Sequence, residues 1–222
     1  MIPPPLHPRP VQAREDPLAF EIAPSTRQPA HGGGHAPSHP APPALEIVRE
    51  SPSPEATTAL AESLAKVLAK ILAEVPVAAP GAGVSRGILI ALEGDLGAGK
   101  TLFARGLIRG LGVTDPYITS PTFTLMNLYE PPGMGPLRHF DLYRLSHPEE
   151  LAQLGVEESF DDGGVTLVEW PERGGEWLPG ERLTVRLEIP VADSDRRRLV
   201  LRAADHGHRA ILAAWGELLD VR

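Results

Sequence analysis

The stretch "GDLGAGKT", Gly94–Thr101, follows the apolar run "ILIALE" and leads directly into "LFARGLIRGL". Three glycines, one lysine and one hydroxyl are compressed into eight positions. The spacing Gly94-x-x-x-x-Gly99-Lys100-Thr101 is that of a phosphate-binding loop, and the physical demand behind it is specific. Successive backbone N–H groups must converge on one phosphate, in φ/ψ values that glycine reaches without steric cost. The cradle is therefore expected from Gly94, Asp95, Leu96, Gly97, Ala98 and Gly99. A helix opening at Lys100 adds the positive end of its dipole. Lys100 is expected to bridge the β- and γ-phosphates of a nucleoside triphosphate, and Thr101 to offer its hydroxyl to Mg2+.

The flanks fit that reading. "GILIALEG" is nearly continuous in apolar residues, as in a strand buried on both faces of a parallel sheet. Leu102, Phe103, Leu107, Ile108 and Leu111 form the inner stripe of the following helix, which Gly112 ends. Upstream, "ALEIV" predicts a strand around Leu45–Val48. "SPSPEATTALAESLAKVLAKILAE" then predicts a helix capped by Ser53, with Pro54 and Glu55 in its first turn. Its apolar face is Leu60, Leu64, Val67, Leu68, Ile71 and Leu72.

Downstream, "FTLMNLYE" and "LRHFDLYRL" predict a hairpin closed by "PPGMGP". "SHPEELAQLG" predicts a short helix capped by Ser146 with Pro148 in its first turn, and "GVTLVEW" a buried strand. "RLTVRLEIP" and "RRLVLRAA" predict antiparallel strands, and "HRAILAAWGELL" a closing helix. Helices alternate with strands at first, and antiparallel strands follow. The expected fold is α/β: a three-layer, P-loop NTPase-like domain with a mixed, mainly parallel central sheet.

Of the 25 prolines, 14 precede residue 55, and that front segment shows no sustained period. Residues 1–44 are expected to be a disordered Pro/Gly/His-rich extension, with the folded domain over 45–222. The tail histidines His31, His35 and His39 read as solvated linker rather than a metal site. A Gly/Pro loop, "VPVAAPGAGVSRG", joins the first helix to the apolar strand.

Net charge is −8, opposite to the basic footprint of a protein that grips nucleic acid alone. Arg196, Arg197 and Arg198 form a local basic run, read as a solvated hairpin end. Cysteine is absent, which excludes disulfide and thiol chemistry. No apolar run approaches the ~20 residues of a membrane helix. "MIPPPLHPRP" lacks the apolar centre of a secretory signal, so a cytoplasmic protein without membrane attachment is expected.

A P-loop site also needs carboxylates at the ends of neighbouring strands. "VTLVEW" ends in Glu169, the expected metal-linked acid. "HFDLYR" puts His139, Asp141 and Tyr143 on one strand face. Asp141 could orient an attacking water or support the Mg2+ shell, or else pair with Arg138 or Arg144. His139 with Asp141 lacks a third metal ligand. In "TSPTF", Pro121 holds Ser120 extended, and Thr122 occupies the loop where switches place a γ-phosphate sensor. A GTP switch is disfavoured: Asp161 and Gly164 fit D-x-x-G, but no N-K-x-D guanine reader exists. A P-loop kinase acting on a small molecule or nucleotide stays as the alternative.

"LEGDLGAGKT", "SPTFTLMNLY", "HFDLYRL", "EELAQLG" and "LVEWPER", at these distances, resemble the bacterial TsaE (YjeE) family over about residues 45 to 220. That resemblance implies a slow ATPase that binds ATP with Mg2+ and acts with TsaB and TsaD. Their assembly transfers threonylcarbamoyl to the adenosine beside the anticodon, so tRNA is met indirectly, through the complex. Carried onto this chain, the resemblance gives the P-loop role to Gly94–Thr101, Mg2+ to Thr101 and Glu169, the switch threonine to Thr122 and the hydrolytic acid to Asp141. It makes Trp170 a tryptophan beside the site and puts the helix start, Glu55 to Thr57, near the purine. Leu102 departs from the family, which often has a second threonine there.

Overall fold

The computed structural model describes residues 43–74, 87–153, 156, 160, 163–192 and 194–220. They belong to one compact unit, Pro40–Arg222. Residues 1–42 of the expected extension, with His31, His35 and His39, the 75–86 loop and Asp161 lie outside the described residues.

Seven strands form one sheet: β1 (Leu45–Ser51), β2 (Ile88–Glu93), β3 (Met126–Tyr129), β4 (Leu137–Asp141), β5 (Val165–Glu169), β6 (Leu183–Glu188) and β7 (Arg197–Ala203), in the spatial order β1-β7-β6-β2-β5-β4-β3. β2 is flanked in parallel by β5 and β6, and β4 runs parallel to β5. β7 opposes both β6 and β1, and β3 opposes β4. Five of the seven strands therefore run the same way, and only β3 and β7 are reversed. The apolar "ILIALE" is buried at the centre of this sheet, as its lack of alternation requires.

Among the described residues four α-helices complete the unit: α1 (Pro54–Glu74), α2 (Lys100–Gly110), α3 (Glu150–Gln153) and α4 (His206–Asp220). On one face, α1, α2 and α4 bury the main core, including Leu64, Phe103, Leu107, Ile90, Leu167, Val185, Leu201 and Trp215. A smaller core on the other face joins Leu89, Phe140 and Val168 to Leu142, Leu151, Phe160 and Leu178. The result is three layers, with the thin one on the α3 side.

Local chemistry sets the element ends. The Ala56 N–H donates to Ser53 Oγ at 3.2 Å, so Ser53 caps α1 as its sequence predicts. Gly112, at φ 94°, donates its N–H to Arg109 O and ends α2. α1 lies close against α2 because two α2 residues have no side chain. A Cβ at Gly110 would stand 2.6 Å from Ala65 Cβ, and one at Gly106 3.0 Å from Ala61 Cβ. The P-loop helix is thereby fixed to the longest helix of the domain. The Trp215 indole, fully buried, donates to Ser63 Oγ at 2.8 Å and ties α4 to α1.

Two local expectations are corrected. α3 begins at Glu150, after the turn residues Pro148 and Glu149, and it is the Glu150 carboxylate that accepts the His147 N–H at 2.9 Å. β4 ends at Asp141, so Tyr143 does not continue the His139–Asp141 face. Among the described residues no helix is long and apolar enough to cross a membrane.

Candidate functional site

The site lies where the carboxyl ends of β2, β5 and β4 meet the amino end of α2, the crevice in which open parallel sheets take ligands. β2 ends at Glu93, and the chain turns at once through Gly94 at φ 137°. A Cβ on Gly94 would sit 2.3 Å from Leu187 O, so β6 leaves room for glycine alone. Gly97 and Gly99 also take left-handed values, φ 80° and 104°, and the Ala98 N–H closes a turn onto Asp95 O at 3.1 Å. α2 then starts at Lys100, its first-turn amides facing the loop.

Lys100, only 5% exposed, donates to Gly94 O at 2.6 Å and Asp95 O at 2.9 Å. Its Nζ also lies 3.5 Å from the ring centroid of Trp170, a cation–π contact. Burial pushes the ammonium below the ordinary lysine value, against the pull of Glu169, Glu172, Asp141 and Asp95. Trp170 takes φ 60°, ψ 50°, a left-handed conformation that costs a non-glycine residue about 1–2 kcal/mol. That turn sets its ring against Lys100 and against Tyr143, the two aromatic centroids 5.0 Å apart.

Two carboxylates stand side by side. Asp141 and Glu169 are register partners on β4 and β5, and Glu169 is also the partner of Leu92 on β2. Both are nearly inaccessible, at 3% and 2% exposure, so each needs its own hydrogen-bond partners. Glu169 Oε2 accepts from Thr101 Oγ1 at 2.9 Å, and Glu169 Oε1 lies 2.9 Å from His139 Nε2. Asp141 Oδ2 accepts from Thr122 Oγ1 at 2.7 Å and from Ser120 Oγ. Its Oδ1 accepts the Tyr143 N–H at 3.0 Å.

The loop that presents Ser120 and Thr122 is tight. Thr124 and Leu125 both donate their N–H groups to Pro121 O, and Leu125 takes φ 62°. Leu125 O then accepts the Asp141 N–H at 3.1 Å. The stiff "SPTFTL" turn is thus fastened to β4 at the residue its hydroxyls bond.

The structure brings Lys100, Thr101, Thr122, Asp141, Glu169 and Trp170 into one cluster around Gly94–Gly99. His139 does not pair with Asp141. Its partner is Glu169, and its Nδ1 is buried without one. Neither arginine neighbour pairs with Asp141 either: Arg144 lies 4.3 Å over Phe123, and Arg138 donates toward Gly163 O. Of the purine-side candidates, Thr57 is fully buried and bonded to Ser51 Oγ at 2.7 Å.

Metal chemistry can be judged from the donors. Among the described residues no three His, Asp or Glu side chains converge as a metal cage. Thr101 and Glu169 offer two hard oxygens in contact, at the foot of the phosphate loop. That sparse set fits Mg2+, which keeps water and phosphate oxygens as its other ligands.

Residues 51–199 match the family model described as "Threonylcarbamoyl adenosine biosynthesis protein TsaE". The chain belongs to the TsaE family. The family's description places it in threonylcarbamoyladenosine biosynthesis, a tRNA modification. The TsaE protein of Bacillus subtilis is 42% identical over 125 residues, which are 56% of this chain and 75% of the relative. That of Haemophilus influenzae is 37% identical over 130 residues, 59% of this chain and 79% of the relative. The crystal structure of Bacillus subtilis YdiB superposes with a TM-score of 0.60 at 30% identity, covering 80% of this chain and 98% of that one. The seven-stranded arrangement is thus a TsaE-family P-loop fold, whose loop fits a nucleotide.

Sequence reasoning missed three participants in this TsaE-family site. Ser120 bonds Asp141 beside Thr122, and the S-x-T spacing was its only signal. His139 holds Glu169, a pairing between strands that no local pattern reveals. Arg197 reaches back to the phosphate loop instead of standing in solvent as a hairpin end.

Proposed function

We propose that residues 45–222 form a Mg2+-dependent ATPase domain that supports the TsaB–TsaD complex in threonylcarbamoylation of the adenosine beside the anticodon of tRNA. The observation that carries this reading is the contact of Thr101 with Glu169 at 2.9 Å, beside Asp141 in register on the next strand. It joins a metal-binding pair and a second acid to one phosphate cradle.

In this reading the Gly94–Gly99 amides and the α2 amino end hold the phosphate chain. Lys100 leaves the Gly94 and Asp95 carbonyls to span the β- and γ-phosphates. Thr101 and Glu169 would hold Mg2+, which would supply charge neutralisation on the phosphate oxygens. His139 keeps the Glu169 carboxylate turned toward Thr101. Trp170 packs against Lys100 and shields the site from water.

Thr122 has a single O–H, here donated to Asp141 Oδ2. A γ-phosphate oxygen competes for that proton. When Thr122 turns to it, Asp141 Oδ2 keeps the Ser120 donor but loses the Thr122 one, and the acceptor position so released can orient the attacking water and take its proton. The γ-phosphate sensor and the hydrolytic acid are therefore coupled through one hydrogen bond.

The −8 net charge favours contact with tRNA through TsaB and TsaD rather than directly. A cytoplasmic location is part of this reading, and a chain without cysteine has no need of an oxidising compartment. The test is to incubate the chain with Mg-ATP and a metabolite extract, then with TsaB, TsaD, a threonylcarbamoyl donor and tRNA. Inorganic phosphate release and dependence of repeated tRNA modification on this chain are expected. A phosphorylated small molecule in place of inorganic phosphate would establish the kinase alternative.

A further inference from the structure

We infer that Arg197 is a positioning residue of the phosphate loop, bracing it from the far side of β6. The inference rests on the nucleotide-binding reading for its consequence and on the geometry alone for the brace. Arg197 opens β7, two strands away from β2. Its Nε donates to Ala98 O at 2.9 Å and its Nη2 toward Gly97 O at 3.2 Å. The other terminal nitrogen, Nη1, is fixed by Ser194 O at 2.6 Å and Arg196 O at 2.8 Å. The guanidinium is thus anchored on its own turn and presents the remaining edge of a rigid fork to two consecutive loop carbonyls.

The consequence follows from peptide geometry. In a trans amide plane the N–H points opposite to the C=O. Holding Gly97 O toward Arg197 sends the Ala98 N–H away from it, where that N–H meets Asp95 O and closes the turn. Holding Ala98 O likewise aims the Gly99 N–H away from Arg197. Gly97, Ala98 and Gly99 include two residues at positive φ, so the intrinsic preference of this segment fixes little. The arginine supplies the constraint that glycine lacks.

Among the described residues all four hydrogen bonds of Arg197 end on backbone carbonyls, and none on a carboxylate. Its charge therefore remains available to the phosphates from behind the loop. Neighbouring Arg198 differs: it meets Glu188 at 3.4 Å and Glu50 at 3.9 Å on the surface. One of the three consecutive arginines is internal to the site, and the run itself does not distinguish it.

The test compares the full chain with Arg197→Gln and Arg197→Lys. Without nucleotide, hydrogen exchange should quicken at the 97–99 amides in Arg197→Gln, while the melting temperature changes little because the core is untouched. ATP and ADP affinity should each fall about tenfold, since the brace acts on the cradle rather than on the γ-phosphate. KM for ATP should rise with kcat largely kept, and Arg197→Lys, able to satisfy one carbonyl, should fall between. Unchanged loop exchange, or nucleotide affinity within about twofold of wild type, overturns the inference. A wild-type chain that binds no nucleotide defeats the ATPase reading instead, and the exchange comparison still decides the brace.

Discussion

Asp141 and Glu169 are directly opposed on adjacent parallel strands, yet each is bonded by a different hydroxyl: Asp141 by Thr122 at 2.7 Å, Glu169 by Thr101 at 2.9 Å. Two buried acids one strand apart repel unless each has its own donors. The division of donors also divides their chemistry. Thr101 belongs to the helix that starts the phosphate site, and Thr122 to the loop that would meet the γ-phosphate.

Replacing Asp141 by Asn should therefore separate binding from turnover. The amide keeps the shape of the acid but cannot take a proton from water. ATP affinity is expected to stay close to wild type while phosphate release falls by about 10²-fold or more. Calorimetry and a phosphate-release assay on the same preparation measure the two. Equal hydrolysis by Asp141→Asn would remove that acid from the mechanism.

Lys100→Ala should act on binding itself. The variant loses charge-assisted bonds to two phosphates, about 1.5–3 kcal/mol, or roughly ten- to a hundredfold in the dissociation constant. Thr122→Ala offers the contrast. It should lower hydrolysis more than affinity, because it disconnects the γ-phosphate from Asp141.

The lowered pKa of Lys100 gives a pH dependence of known sign. Burial depresses the lysine in the free protein, and phosphate charge raises it in the complex. Binding then takes up a proton at any pH between the two values, so affinity falls as pH rises through the free-protein pKa, below the ordinary 10.5. Titrations of ATP across the alkaline range should show this decline in wild type. Lys100→Arg, charged throughout, should bind with an affinity that does not change over the same range.

Away from the site, Asp205 sets the start of α4. Its Oδ1 accepts the His208 N–H at 3.0 Å, and both carboxylate oxygens contact His208 Nδ1 at 2.8–2.9 Å. Burial works to raise its pKa, but the His208 bonds outweigh it and hold the acid below 3.8. Stability from this cap is present above the unfolded-state value and lost as pH falls through the folded one. Asp205→Ala should cost about 1 kcal/mol in denaturant unfolding near neutral pH, with a smaller difference in acid.

The fold was legible because its signals are local. "ILIALEGDLGAGKT" places strand, turn and helix in fourteen residues, and Ser53 and Gly112 mark helix ends by their own chemistry. Glu169 and Asp141 could be found because each ends a strand. What escaped the sequence depends on strand order. His139 reaches Glu169 only because β4 lies beside β5, and Arg197 reaches Ala98 only because β7 lies two strands from β2. Neither adjacency leaves a trace in the local pattern. The start of α3 was misplaced for a different reason: Pro148 suits a first helical turn and a simple turn equally.

In a working ATPase of this design, magnesium and the phosphates of ATP meet the residues that cluster at Gly94–Thr101. A crystal structure of the chain with Mg2+ and a non-hydrolysable ATP analogue measures this most directly. The phosphates should lie on the loop amides, with Lys100 released from the Gly94 and Asp95 carbonyls and the ion bound by Thr101 and Glu169. An analogue bound elsewhere, or an ion coordinated without Glu169, would contradict the account.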